Sequence, residues 1–302
     1  MMKVFVTGAS GYVGSAVVRE LLEAGHQVIG LARSDASAAA LTAAGAEVHR
    51  GDLKDLDSLR SGAVAADGVI HLAYVHDFSD IASSGPIDMG AVETITAALE
   101  GTDKPFVNTS GTLALSMLGA GRLATEEDAG PVGVRRIDSE DATMAMAGRG
   151  VRASFVRLAP TVHGDGDKHG FIPSLIGMAR AKGVSAYIGD GTNRWPAIHR
   201  LDAARLYRLA VEAAPAGSRL HGAGEEGVPF RDIAEAIGRQ LKLPVVSISR
   251  AEAGDYFGFL ADFVSFDNPT SSALTQQRLG WQPKEPGLIA DIEQGHYFNN
   301  DQ

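Results

Sequence analysis

The chain of 302 residues carries 27 Lys+Arg against 37 Asp+Glu, 36 Gly, 12 Pro and no Cys. That length accommodates one large or two modest domains and buries about three-quarters of the unfolded surface, so the core needs no covalent staples. The missing thiols exclude disulfides, thiolate zinc sites, iron–sulfur clusters and cysteine nucleophiles, and a net charge of −10 speaks against a nucleic-acid partner. No apolar run approaches the ~20 residues of a membrane span, and Val4-Phe5-Val6 before Thr7-Gly8 is no secretory segment. A soluble, cytoplasmic protein is expected.

In chain order, Lys3–Thr7 reads as a strand, followed by a helix from Tyr12 to Ala24 that stops at Gly25. Gln27–Leu31 is a second strand, Ser37–Ala44 a helix closed by Gly45, Glu47–Arg50 a third strand, Leu56–Ala63 a helix and Gly68–Leu72 a fourth strand. A helix near Ala91–Glu100 precedes a fifth strand at Phe106–Ser110, and a helix over Ser139–Ala147 precedes a sixth at Ala153–Leu158. Strands that are apolar throughout and alternate with helices predict an α/β fold with a doubly wound parallel sheet, covered on both faces. Beyond Pro160 the pattern loosens into a Gly/Asp/His loop, a helix near Ile172–Lys182, a short strand around Ser185–Ile188, a helix from about Asp202 and another over Phe230–Leu241. Residues 1–163 and 199–222 are expected to form a dinucleotide-binding domain. Residues 164–198 and 223–302 are expected to form a smaller substrate-covering lobe over the strand ends, where ligands sit in open α/β sheets. The aperiodic stretch Leu113–Arg136 reads as an active-site loop.

Between the first strand and first helix stands Thr7-Gly8-Ala9-Ser10-Gly11-Tyr12-Val13-Gly14. Glycine there allows a tight turn, backbone approach to a pyrophosphate and close helix–strand packing, while the helix start offers N–H groups to the anion. A purely structural turn is the alternative. Position in the chain and the flanking elements favour dinucleotide binding. Arg33 lies nineteen residues after Gly14, just past the second strand. Arginine at this place suits the 2′-phosphate of NADP, whereas an acid would take the ribose hydroxyl of NAD. Ser34 adds a hydroxyl; Asp35 either caps the next helix or approaches the ribose. NADP is the expected cofactor, with NAD as the alternative.

Together these motifs resemble the extended branch of the short-chain dehydrogenase/reductase superfamily, which holds nucleotide-sugar epimerases and related reductases on a Rossmann-type sheet. Gly51-Asp52-Leu53 looks like that family's adenine contact, and His71-Leu72-Ala73 like its fourth-strand segment beside the cofactor, with Tyr74 next in the chain. Asn108-Thr109-Ser110, Arg157 to Gly164 and Ile198-His199-Arg200-Leu201-Asp202 are similar to later family segments. The resemblance implies a Tyr with Lys four residues on as the catalytic pair. None of the six tyrosines (Tyr12, Tyr74, Tyr187, Tyr207, Tyr256, Tyr297) has Lys there. Taking Glu140 as the acid the family often carries after that pair places Arg136 at the Lys position and Val132 at the Tyr position. The chain thus reads as an atypical member.

In the family the Tyr protonates the substrate oxygen, and a Ser or Thr at the fifth-strand end hydrogen-bonds it. Ser110 retains that last role, with Thr112 as its understudy. Tyr74 and His163 are candidates for the lost proton donor; Arg136, charged throughout, suits a ribose or carbonyl contact instead. Bland readings stand beside these: Tyr74 as a lid residue packing on substrate, His163 as a hydrogen-bonded loop histidine. His163-Gly164-Asp165-Gly166-Asp167-Lys168-His169 reads as a glycine-rich substrate loop rather than a metal site, since it lacks the spacing and terminal acid of a calcium loop. Arg194-Trp195-Pro196, Phe171, Tyr187 and His199 are either a wall over the nicotinamide or lobe core. Met144 and Met146 suggest an apolar helix face through which the resembled family commonly forms homodimers. The expected activity is NADP(H)-dependent oxidation or reduction of a small carbonyl or alcohol. A catalytically weakened NADP-binding sensor is the alternative, and a nucleotide-sugar epimerase or dehydratase comes third.

Overall fold

The computed structural model describes residues 1–75, 81–119, 121–131 and 133–299. The first half runs β1 (Lys3–Thr7), α1 (Tyr12–Glu23), β2 (Gln27–Ala32), α2 (Asp35–Ala44), β3 (Glu47–Arg50), α3 (Leu56–Val64), β4 (Gly68–His71), α4 (Ile81–Leu99), β5 (Pro105–Gly111), α5 (Arg135–Ala145) and β6 (Arg152–Leu158). The second half adds β7 (Thr161–His163), α6 (Phe171–Lys182), β8 (Ser185–Ile188), β9 (Arg194–His199), α7 (Arg200–Ala213), β10 (Ser218–Gly222), β11 (Glu225–Pro229), α8 (Phe230–Leu241), β12 (Val245–Ile248), α9 (Ala253–Phe257), α10 (Ala273–Leu279) and α11 (Leu288–Glu293).

A seven-stranded sheet in the order β10-β6-β5-β4-β1-β2-β3, parallel at every pairing, forms the centre. The expected doubly wound α/β architecture is therefore present. Val4, Phe5 and Val6 on β1, Val69 and Ile70 on β4 and Phe106 and Val107 on β5 are all fully buried, because α1 and α7 cover one face and α3 and α4 the other. From β1 the chain winds outward through β2 and β3, then crosses back to β4. The strand order thus reverses between β1 and β4, and the carboxyl ends of these two strands form the topological switch point at which ligands sit in open sheets of this kind.

Two smaller sheets, β11-β9-β7 and β12-β8, lie outside the seven strands. Around them Trp195, Phe230 and Phe257 are buried, with Phe171 and Phe230 stacked on Trp195 at ring centroids of 5.3 and 5.0 Å. Trp195 is thus core of this second cluster, and Arg194 is clasped by Asp267 at 3.0 and 2.8 Å. α4 begins ten residues earlier than its sequence pattern indicates and contains Pro86. Burial of Asp88, Ala91, Val92, Ile95 and Leu99 along one helix outweighs that local breaker. In the stretch read as an irregular loop, Thr112–Leu118 forms a 3-10 helix, and Met146 packs into the core rather than onto an open face.

Candidate cofactor and active site

Gly8 ends β1 with φ +67°, and a Cβ there would lie 2.8 Å from the backbone nitrogen of Ala73. Only glycine lets the turn pass so close to the end of β4. Gly11 donates its N–H to the Gly8 carbonyl at 2.9 Å and opens α1 without a side-chain cap, and no acid occupies the first turn. The positive end of α1 is thus presented uncapped at the switch point. Gly14 seats the helix on this turn: its Cβ would fall 2.0 Å from the Gly8 carbonyl oxygen. Ser10 is exposed, while Tyr12 and Val13 are half-buried beside the turn. These are the features a dinucleotide diphosphate requires, so the residues fit the group.

Just past β2 Arg33 extends into solvent, 80% exposed, with Nε 3.9 Å from Asp52 Oδ2. Ser34 caps α2 by accepting from Ser37 N–H at 3.2 Å. Asp35 is not the cap of α2, which is Ser34. Asp35 lies in the first turn of α2 and pairs with Arg50 at 2.5 Å, so the acid facing Arg33 is Asp52. Asp52 accepts from Lys54 N–H at 2.9 Å, which fixes the bend that carries Leu53 beside it.

Thr7 Oγ1 accepts from Leu72 and Ala73 N–H, both at 3.2 Å, so β4 continues directly under the glycine turn to Tyr74. The guanidinium of Arg136, from the first turn of α5, lies 3.7 Å over the Tyr74 ring. Its Nη1 donates to the Thr109 carbonyl at 3.1 Å and to Asp88 at 3.4 and 3.5 Å. One peptide bond on, Ser110 Oγ is buried with no hydrogen-bond partner among the described residues. A hydroxyl left so at a strand end awaits a ligand or water. Asn108, on the same face of β5, is fully engaged by Ser139 Oγ and Thr143 Oγ1 at 3.0 and 2.9 Å. Thr109 faces the other way, onto the Tyr207 hydroxyl at 2.8 Å. The structure therefore brings Ser110, Tyr74 and Arg136 to one edge. Thr112 instead receives Asn268 Nδ2 at 3.1 Å, and Val132 lies outside the described residues.

His163 is placed elsewhere. It is buried, Nδ1 donates to Asp291 Oδ2 at 3.0 Å, and its ring stacks edge-on to His199 at 5.4 Å. The bland reading of this histidine is the one its contacts support. The loop that follows is fastened to the cofactor helix. Gly164 accepts from the Tyr12 hydroxyl at 3.0 Å and donates to Tyr297 at 3.1 Å, while Arg200 bonds the Asp165 carbonyl at 2.7 Å. Burial pushes both phenols above their ordinary range and keeps them protonated. Asp167 accepts from Gly170 N–H at 2.8 Å at the start of α6, so the loop's carboxylate is committed to a turn.

A sequence profile described as the NAD dependent epimerase/dehydratase family matches residues 4–221. The chain belongs to this family. It is 51% identical to an uncharacterized protein of Schizosaccharomyces pombe over 98% of its own length and 100% of that protein's. It is 27% identical to a UDP-glucose 4-epimerase of Streptomyces lividans, covering 97% of this chain and 96% of that one, and 28% identical to a 2-alkyl-3-oxoalkanoate reductase of Stenotrophomonas maltophilia, covering 77% and 73%. The fold matches that of Thermus thermophilus UDP-glucose 4-epimerase, solved in complex with NAD, at a TM-score of 0.75 and 18% identity, over 99% of this chain and 100% of that one. Within this epimerase/dehydratase frame, Glu140 holds Arg157 in a buried bidentate pair at 2.9 and 2.6 Å, and Asp202 accepts from Lys284 and Glu285 N–H to fasten the C-terminal segment. Asp88 was missed by sequence reasoning, because the glycine and proline before Ala91 obscured the start of its helix. The available signal was an acid in register with the buried positions Val92 and Ile95.

Proposed function

We propose that the protein is an NADP(H)-dependent oxidoreductase that reduces, or forms, a small neutral carbonyl compound at the carboxyl ends of β1, β4 and β5. One observation carries the reading: the buried Ser110 hydroxyl, without a hydrogen-bond partner among the described residues, comes directly after the Thr109 carbonyl that Arg136 binds while stacked on Tyr74, on the sheet edge that holds the glycine turn. The turn from Gly8 to Gly14 and the start of α1 seat the diphosphate, Asp52, Leu53, Leu72 and Ala73 flank the adenosine and nicotinamide halves, and Arg33 with Ser34 meets the 2′-phosphate. When bound, the reduced nicotinamide supplies the hydride. Ser110 donates a hydrogen bond to the substrate oxygen, the Tyr74 phenol gives that oxygen a proton, and Arg136 holds the nicotinamide ribose or polarises the carbonyl. Segments 164–198 and 223–302 cover the substrate and exclude water.

Oxidation of NADPH with a panel of ketones, aldehydes and UDP-glucose tests this. Turnover of a ketone or aldehyde is expected. Tight NADPH binding with no turnover makes the protein a sensor, and conversion of the nucleotide sugar alone makes it an epimerase. Two predictions follow the geometry. Arg33→Ala should weaken NADPH binding by about tenfold to a hundredfold, the worth of one charge-assisted hydrogen bond, and leave NADH binding unchanged; calorimetry with both nucleotides measures it, and equal losses for the two refute the assignment. Tyr74→Phe should lower kcat by about 10²-fold or more and Ser110→Ala by about 10²-fold. Unaltered turnover in both variants sinks the arrangement.

A further inference from the structure

Behind the Arg136–Tyr74 stack runs a row of buried polar groups that the proposed chemistry does not use. Thr7 Oγ1 has its lone pairs filled by the N–H groups of Leu72 and Ala73, so its own O–H is left for His71 Nδ1 at 2.8 Å. Nδ1 is therefore an acceptor and the ring proton sits on Nε2, which faces Asp88 Oδ1 at 3.4 Å. Asp88 then receives Arg136 Nη1 with both oxygens, at 3.5 and 3.4 Å. His71 and Asp88 are 1% and 3% exposed, the Arg136 side chain 25%. All the hydrogen bonds that the guanidinium makes to described residues run through Nη1. Its Nε and Nη2 make no hydrogen bond to a described residue, and its face is held on Tyr74.

We propose that Asp88 is a positioning residue for this site: backed by His71 and Thr7, it fixes Arg136 across the Tyr74 ring and balances its charge. A guanidinium so paired offers directional N–H groups without net charge, which suits a neutral ketone or aldehyde oxygen over the carboxylate of an oxo acid. Burial alone would raise the Asp88 carboxyl. The hydrogen bond from His71 and the adjacent guanidinium outweigh it and hold the group below its usual range, so Asp88 is ionised at neutral pH. The row also joins the end of β1, where the glycine turn begins, to the residue that meets the substrate. The inference rests on the reading that carbonyl chemistry occurs at Ser110, Tyr74 and Arg136, and deepens it.

The test begins on the protein without nucleotide. The Nε–H resonance of Arg136, identified by its loss in Arg136→Lys, is expected upfield under the ring current of Tyr74. It should move toward the position of free arginine in Asp88→Ala and in Tyr74→Leu. A resonance that Asp88→Ala leaves in place overturns the positioning role, whatever the protein turns over. With ethyl acetoacetate and NADPH, Asp88→Ala should lower kcat by about 10²-fold, the loss typical of a misplaced active-site group, while the calorimetric Kd for NADPH stays within about twofold. In an Arg136→Ala background the same change should add less than about twofold, because Asp88 acts through Arg136. Additive losses, or a joint fall of NADPH affinity and melting temperature, mean general structural support and refute the proposal. Asp88→Asn keeps the shape and removes the charge, and should raise the kcat/KM ratio of acetoacetate to its ethyl ester by about tenfold; an unchanged ratio refutes the charge-balancing role. Absence of any carbonyl reduction by the parent defeats the proposed function alone, and the resonance still decides the placement of Arg136.

Discussion

Gly14→Ala is expected to abolish NADPH binding and to destabilise the fold by about 3 kcal/mol, the upper end of ordinary overpacking. The methyl group would meet the Gly8 carbonyl oxygen at 2.0 Å, the Gly8 carbonyl carbon at 2.8 Å and Ala9 Cα at 3.0 Å. All three are backbone atoms, so no side chain can swing aside. Either α1 lifts off the turn or the turn opens, and both break the Gly11 N–H to Gly8 hydrogen bond that aims the helix start. Gly8 has little room to retreat, because a Cβ built on it would already fall 2.8 Å from Ala73 N and 3.0 Å from the Leu72 carbonyl carbon. Calorimetry with NADPH and urea denaturation read the two effects separately. Binding within about threefold of the parent would remove the turn as the diphosphate seat. Ser10→Ala, on the exposed side of the same turn, serves as the mild control.

Arg157→Ala should destabilise the protein by about 3–5 kcal/mol, because it strands a buried carboxylate. Arg157 and Glu140 are 0% and 2% exposed. The guanidinium also donates to the Asp128 carbonyl at 2.9 Å and to His221 Nε2 at 3.4 Å. His221 Nδ1 in turn donates to the Ser271 carbonyl at 2.8 Å. Burial, with Arg157 nearby, pushes the His221 imidazole down to about 4, which keeps it neutral as that acceptor role demands. Arg157 thus joins β6 to α5, to the segment around Asp128 and to β10. Replacing both partners, as Arg157→Met with Glu140→Leu, should recover more than half of the loss, because no charge is then left unpaired. Urea denaturation of the two variants decides it, and a loss below about 1 kcal/mol for Arg157→Ala contradicts the account.

Much of the cofactor half was legible because its determinants are local. The strands β1, β2 and β4 are short, largely apolar runs bounded by turn residues, and the spacing of Gly8, Gly11 and Gly14 describes a backbone path rather than a packing choice. Arg33 and Ser110 are legible in the same way, as residue types at the ends of recognisable strands. The later strands β7, β9, β10, β11 and β12 were hidden because most are short, and several gain their hydrogen bonds from partners distant in sequence. The start of α4 was hidden because Pro86 and its flanking glycines argue locally against a helix that only burial stabilises.

By itself, the amino-acid sequence determined the doubly wound sheet, the glycine turn and the list of groups able to carry chemistry, since periodicity and turn stereochemistry act over a few residues. The tertiary structure decided which of those groups meet. Ser110, Tyr74 and Arg136 converge from three separate elements, with Asp88 behind them, while His163 is drawn away to Asp291 and Trp195 into the lobe core. The physical reason is that a buried charge or hydroxyl must find its partner wherever the sheet and helices place one, and no short-range pattern records that distance.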